Sequence, residues 1–97
     1  MNEIGITRLH ATVTGRVQGV SFRYYVLEQA STLDLKGWVR NRWDGSVETT
    51  AEGPRHKLEQ LLQALRQGPP MAHVENVDFE WLEAKGEFVG FSVRSTG

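Results

Sequence analysis

A glycine-containing segment that leads into an arginine is the first part of this chain whose residue types suggest chemistry. Gly15 and Gly19 permit positive φ angles and close backbone approach, and Arg23 follows at the start of a predicted helix. Backbone N–H groups at such a turn, together with the positive end of a helix dipole, suit a compact anion such as phosphate. The planar fork of Arg23 can bind two phosphate oxygens at once. The predicted phosphate-binding loop consists of Gly15, Arg16, Val17, Gln18, Gly19 and Val20.

The alternative interpretation of this segment is an ordinary glycine turn with Arg23 as a solvated residue of the first helical turn. Glycine-rich turns are common, and the segment is not a Walker A sequence. The loop alone therefore does not decide between the two interpretations.

The elements around the loop follow from hydrophobic spacing. Alternating apolar residues predict a strand over residues 8–15, and Ser21 is the predicted N-cap of a helix that ends near Asp34. Asp44-Gly45 lies between β-favouring runs at residues 36–42 and 46–53, which predicts a hairpin. A second helix is predicted from four leucines at helical spacing, Leu58, Leu61, Leu62 and Leu65. Two further strands are predicted over residues 74–83 and 88–94.

This order, βαββαβ with an extra C-terminal strand, predicts an α+β fold. We expect a ferredoxin-like two-layer sandwich whose antiparallel sheet is covered by two helices on one face. A right-handed crossover makes the first two strands parallel, with the third between them, so both end at the same edge of the sheet. The loop, Arg23 and Asn41 should therefore converge although they are far apart along the chain.

Composition excludes several classes of protein. The 97 residues, 39% hydrophobic and 24% charged, predict one folded domain spanning residues 1–97. A net charge of −1 disfavours nucleic-acid binding. The charge is unevenly distributed, because residues 1–45 have a net charge of +2 and residues 46–97 have a net charge of −3. Five basic residues are predicted near the loop's edge of the sheet: Arg16, Arg23, Lys36, Arg40 and Arg42. This distribution favours a small, local anion site.

Metals and other cofactors are not expected. The chain has no cysteine, and its three histidines, His10, His56 and His73, lack the spacing of metal ligands. No segment resembles a signal peptide or a membrane-spanning helix, so we expect a cytoplasmic protein without a membrane partner. We also expect a monomer that acts on a small molecule.

Two motifs resemble the signatures of acylphosphatases. The first is Val13-x-Gly15-x-Val17-Gln18-Gly19-Val20-x-Phe22-Arg23, and the second is Gly37-Trp38-Val39-Arg40-Asn41 with Gly45-x-Val47 and Gly53. The resemblance covers nearly the whole chain. It implies a small metal-independent enzyme that hydrolyses acyl phosphates, in which Arg23 matches the phosphate-binding arginine and Asn41 the water-positioning asparagine. Without the resemblance, Asn41 would be read as a polar strand-end residue.

The chemistry of acyl phosphates suits this residue set. Their leaving group is a carboxylate whose conjugate acid has a pKa of about 4, so it departs unprotonated at neutral pH. A phosphate monoester instead needs a general acid or a metal, and the sequence offers no convincing candidate for either. The Asn41 carboxamide can orient a water but is too weak a base to deprotonate it, so the proton is expected to pass to a phosphoryl oxygen.

The other aromatic residues are predicted to pack between the helices and the sheet: Tyr25, Trp38, Phe79, Trp81 and Phe91. Trp43 is predicted to be exposed, either beside the acyl group or without a role. Two other functions are alternatives to hydrolysis of acyl phosphates. Residues 88–93 weakly resemble the aromatic strand of an RNA-binding sheet but lie in the acidic half. The second is a carbamoyl-phosphate-handling module, since acylphosphatase-like domains also occur within larger hydrogenase-maturation proteins. The length of the chain and its lack of zinc-finger cysteines favour a stand-alone enzyme instead.

Overall fold

The computed structural model describes residues 5–97. It contains, in chain order, β1 (Ile6–Arg16), α1 (Phe22–Thr32), β2 (Lys36–Asn41), β3 (Val47–Pro54), α2 (Arg55–Gln67), β4 (His73–Glu83) and β5 (Phe91–Val93). The predicted order of elements is confirmed. The final strand is shorter than predicted, because residues 88–90 lie outside it and Gly90 has a φ of 70° that an extended strand does not accommodate.

The five strands form one sheet in the order β4-β1-β3-β2-β5. β3 pairs antiparallel with both β1 and β2, so β1 and β2 run parallel, and both end at the same edge, as predicted. The sheet is not wholly antiparallel, however. Residues 84–90 carry the chain from the β4 side of the sheet to the other, where β5 pairs parallel with β2. The sheet is therefore mixed.

One face of the sheet packs against both helices and forms the core. Leu9, Ala11 and Val13 of β1 alternate with polar residues and are fully buried beneath the helices. The four spaced leucines of α2 are also buried, and each such side chain contributes about 1.5–3 kcal/mol to folding. Burial of this face fixes the register of the strands, since a slip by one residue would expose it.

The opposite face, which we call the open face, is not covered by a helix of residues 5–97. Its central residues are charged or polar and include Arg8 and His10 on β1 and Glu48 and Glu52 on β3. Trp38 also lies here, with the guanidinium groups of Arg40 and Arg94 at 5.2 Å and 4.7 Å from its ring. The prediction that Trp38 packs beneath the helices is therefore wrong.

The remaining aromatic predictions have mixed outcomes. Tyr25, Trp81 and Phe91 pack against the core as predicted. Phe79 is 42% exposed, because β4 is an edge strand and Arg66 of α2 covers only part of the ring. Trp43 is 84% exposed on the hairpin turn, in agreement with the prediction of an exposed residue.

Candidate active site

The predicted phosphate-binding segment divides into the end of a strand and a true loop. Gly15 and Arg16 still belong to β1, and a register shift between Thr14 and Gly15 marks a bulge opposite β4. A side chain on Gly15, which has a φ of 124°, would collide with the carbonyl of His73. Gly15 is thus required for close packing of β1 against β4, and the loop proper spans residues 17–21.

The loop is anchored at one end and strained at the other. The side chain of Val17 is fully buried in the core, whereas Gly19 has a φ of 73° and open space around it. Ser21 has a φ of 64° and makes no side-chain capping hydrogen bond to α1. The structure confirms Ser21 as the residue at the N-cap position of α1. Its side chain does not cap the helix, because a capping side chain needs an extended backbone and that of Ser21 is left-handed. Left-handed backbone in a non-glycine residue is uncommon and costs energy.

The start of α1 presents hydrogen-bond donors that have no protein acceptor. Within residues 5–97, the backbone N–H groups from Gly19 to Tyr24 make no hydrogen bond, and the first helical bond of the turn is from Tyr25 to Ser21 at 3.0 Å. No acidic residue occupies the first turn of α1. The first turn of α1 therefore supplies no counter-charge to the positive end of the helix dipole.

Arg23 adds a full positive charge at this position. It is the second residue of α1 and is half-buried, and in the described part of the chain its side chain has no hydrogen bond and no ion pair. A cation at a helix N-terminus is disfavoured by the dipole. The arrangement is unfavourable for the helix alone, but it is well suited to binding an anion.

Asn41 is the last residue of β2, and its backbone is held on both sides. It pairs with Val47 of β3, and its carbonyl accepts a 3.0 Å hydrogen bond from the Gly97 N–H. The half-buried side chain lies on the same face of β2 as the buried Val39, and no hydrogen bond to its carboxamide occurs within the residues described. The carboxamide is therefore available to orient a water.

The side chain of Gln18 joins the loop to the hairpin that follows Asn41. Its amide nitrogen donates to the carbonyls of Arg42 and Ser46, both at 2.8 Å. These hydrogen bonds bring residues 17–21 against the turn at residues 42–46. Together with the first turn of α1 they form one region, which we call the loop edge. Arg23 lies in this region, and we include in it Asn41, which directly precedes the turn at the sheet edge where β1 and β2 both end, as the topology predicts. The side chains of Arg23 and Asn41 do not hydrogen-bond to each other.

Three of the five basic residues predicted around the loop edge do not contribute free charge there. Arg40 and Arg42 bind the Glu48 carboxylate at 2.8 Å and 3.0 Å. Lys36 is at the opposite end of β2 from Asn41, because it begins the strand that Asn41 ends. Burial raises the pKa of Glu48, but hydrogen bonds from His10, Arg40 and Arg42 outweigh this and hold the pKa below its usual range.

The chain is similar to known proteins over almost its whole length. An acylphosphatase family model matches residues 9–93. The chain belongs to the acylphosphatase family. An acylphosphatase of Salinibacter ruber is 52% identical over 87 residues, which are 90% of this chain and 92% of that protein. The crystal structure of an acylphosphatase from Bacillus subtilis superposes with a TM-score of 0.88 at 38% identity and covers 91% of this chain and 98% of that chain.

A full-length HypF structure in a phosphate- and nucleotide-bound form superposes with a TM-score of 0.87 at 26% identity, but it covers 98% of this chain and only 13% of that one. The chain thus spans nearly the whole of the acylphosphatases and a small part of HypF. Acylphosphatases are hydrolases that act on acyl phosphates, which are small molecules. In the part of the chain described, neither helix is long and apolar enough to cross a membrane.

Sequence reasoning missed the side chain of Gln18. It identified Gln18 only as a loop residue of the acylphosphatase motif, whose backbone could bind phosphate. The two acceptors are backbone carbonyls 24 and 28 positions away, and such partners leave no trace in residue spacing. The only available signal is the long polar side chain itself, set between Val17 and Gly19.

Proposed function

We propose that this chain hydrolyses acyl phosphates to a carboxylate and inorganic phosphate at the loop edge. The single observation that supports this most strongly is Arg23, a half-buried residue in the same turn as six backbone N–H groups, since neither its guanidinium nor those N–H groups have a partner within residues 5–97. A phosphoryl group supplies the negative charge and the acceptor oxygens that both features lack. Membership of the acylphosphatase family gives the reaction class.

Arg23 and the loop amides bind the phosphoryl group of the substrate in this proposal. The guanidinium donates two parallel N–H bonds to phosphoryl oxygens, and the N–H groups of residues 19–24 donate to the remaining ones. Phosphoryl transfer spreads charge over the three equatorial oxygens, so donors fixed before the reaction lower its barrier. The fully buried side chain of Val17 anchors the loop that carries these donors.

Asn41 orients the attacking water. Its carboxamide offers an acceptor oxygen and two donor hydrogens, which can hold a water in line with the bond to the leaving carboxylate. A carboxamide cannot remove the proton, which passes to a phosphoryl oxygen of the substrate as the water attacks. The carboxylate leaves without protonation, so the reaction needs neither a general acid nor a metal from this chain.

The test measures phosphate release from benzoyl phosphate and from phenyl phosphate, two compounds that carry the same ring but differ in leaving group. We expect turnover of benzoyl phosphate only, with no loss on treatment with EDTA. Equal turnover of both compounds, or activity that EDTA abolishes and Mg²⁺ or Zn²⁺ restores, would contradict the proposal.

Replacing Asn41→Ala separates positioning of water from binding of phosphate. Turnover should fall roughly a hundredfold, equivalent to about 3 kcal/mol, while competitive inhibition by inorganic phosphate changes little. Asn76→Ala on the exposed edge strand is the matched control and should leave turnover unchanged. Normal turnover of the Asn41 variant would show that another group holds the water.

A further inference from the structure

The hydrogen bonds of Gln18 do not end at the hairpin's tip but at its base. Arg42 directly follows Asn41, and Ser46 directly precedes Val47, the partner of Asn41 in the sheet. The carbonyl of Ser46 accepts two hydrogen bonds, one from the Gln18 amide at 2.8 Å and one from the Arg42 N–H at 2.9 Å. One side-chain amide thus bridges both strands of the hairpin at the point where Asn41 projects.

The other contacts of the turn hold the hairpin together but do not fix it to the loop. Asp44 accepts hydrogen bonds from the Ser46 hydroxyl at 2.6 Å and from the Ser46 N–H at 2.9 Å, both within the turn. Arg42 binds Glu48 on the open face of the same hairpin. Among residues 5–97, the side-chain hydrogen bonds between loop residues 17–21 and turn residues 42–46 are those of Gln18.

From these contacts we infer that Gln18 is a positioning residue for Asn41. Both protons of its amide nitrogen are used by hairpin carbonyls, so the side chain does not bind the phosphoryl group, although its backbone belongs to the binding loop. Its task is to fix the position of the Asn41 carboxamide relative to Arg23 and the loop amides. A displacement of about 1 Å in a catalytic arrangement can reduce the rate by as much as a hundredfold. This inference rests on the proposed function.

Two substitutions remove the bridge while keeping the size of the side chain. Gln18→Met has a similar length and no donor, and Gln18→Glu has nearly the same shape but faces two carbonyl oxygens with a carboxylate. We expect turnover of benzoyl phosphate to fall about tenfold or more in each, with the inhibition constant for inorganic phosphate changed by less than about twofold. Gln63→Met, at an exposed position of α2, is the control and should have no effect.

The decisive measurement is the effect of Gln18→Met in an Asn41→Ala background. A residue that acts only through Asn41 has nothing to position once that side chain is absent, so the additional loss of turnover should disappear. An equal loss in both backgrounds, or phosphate inhibition that weakens in both, would overturn the inference and show that Gln18 acts on the loop or on the phosphate. Unchanged turnover of both Gln18 variants would also overturn it.

Failure of the proposed function gives a different result. In that case, the parent itself would not hydrolyse benzoyl phosphate selectively and without a metal, or Asn41→Ala would leave turnover normal, whatever the Gln18 variants do. Thermal melting of each variant shows whether it is folded, and Gln18→Glu serves as the test if Gln18→Met is not. A loss of turnover at 20 °C that follows melting temperature across the two variants would assign Gln18 a purely structural role and overturn the inference.

Discussion

The open face of the sheet and the loop edge differ in whether their charged groups have partners. On the open face, Glu48 binds His10, Arg40 and Arg42 at 2.7–3.0 Å. At the loop edge, Arg23 and the neighbouring N–H groups have no partner within residues 5–97. The open face thus pairs its buried carboxylates with cations of the fold, whereas the unpaired Arg23 is the feature from which we propose binding of an external anion.

Glu52 shows how complete the pairing on the open face is. Its carboxylate accepts a hydrogen bond from Arg8 at 2.7 Å and from the N–H groups of Lys85 and Gly86 at 2.9 Å and 3.1 Å. Burial raises the pKa of Glu52, but these donors outweigh it and lower the pKa overall. Glu52 therefore ties the segment after β4 to the middle of the sheet.

The largest expected effect comes from changing the unpaired group. Arg23→Lys keeps the positive charge but loses the planar fork, so we expect turnover of an acyl phosphate to fall about a hundredfold and phosphate inhibition to weaken in parallel. The matched control is Arg66→Lys on the exposed end of α2, which should behave like the parent. Parent-like phosphate binding by Arg23→Lys would mean that this guanidinium is only a surface group.

Changing a paired group should lower the stability of the fold and leave turnover unchanged. Glu52→Gln puts a neutral amide at a buried position and leaves Arg8 with Glu87 as its carboxylate partner, so we expect the free energy of unfolding to fall by about 1–2 kcal/mol while turnover stays unchanged. The control is Glu59→Gln, which breaks an exposed pair with Arg55 within α2 and should cost less than about 0.5 kcal/mol. Chemical denaturation and the activity assay are run on the same samples. A drop in turnover as large as that of Arg23→Lys would erase the distinction between the two regions.

The smallest effect is a dependence of stability on pH. The pKa values of Glu48 and Glu52 are lowered from the ordinary 4.5, so their contribution to folding is complete above that pH and is lost as the pH falls through the folded values. We expect melting temperature to decrease below about pH 4.5, and to decrease less steeply in Glu52→Gln, which has one fewer carboxylate to protonate. An identical slope in parent and variant would contradict the assignment of this stability to the Glu52 carboxylate.

Much of the fold could be predicted from the sequence because local patterns and burial agree. The spaced leucines of α2 and the Asp44-Gly45 turn are local signals, and the structure confirms both. Trp38 was assigned to the wrong face because the prediction weighed its aromatic character and not its position. Strict alternation along β2 places it opposite the buried Val39, and Arg40 and Arg94 cover its ring instead.

The candidate site could also be predicted only in part from the sequence. Arg23 and Asn41 could be selected from their motifs, and the strand order that brings them to one edge follows from the handedness of the crossover. The bridge made by Gln18 and the pairing of Arg40 and Arg42 with Glu48 could not be predicted, because they depend on side-chain reach across elements distant in the chain. The basic cluster seen in the sequence therefore overstated the charge available to a ligand.

Titration of the chain with inorganic phosphate, followed by NMR of the backbone and arginine side-chain N–H groups, shows directly whether an anion binds at the start of α1. We expect saturable shifts concentrated at the N–H groups of residues 19–24 and at the Arg23 side chain, with little change at Arg8 and Arg40, whose charges are already paired. Arg23→Lys should weaken the binding without moving its location. Largest shifts at the open-face arginines, or no saturable shift at residues 19–24, would rule out anion binding at the loop edge.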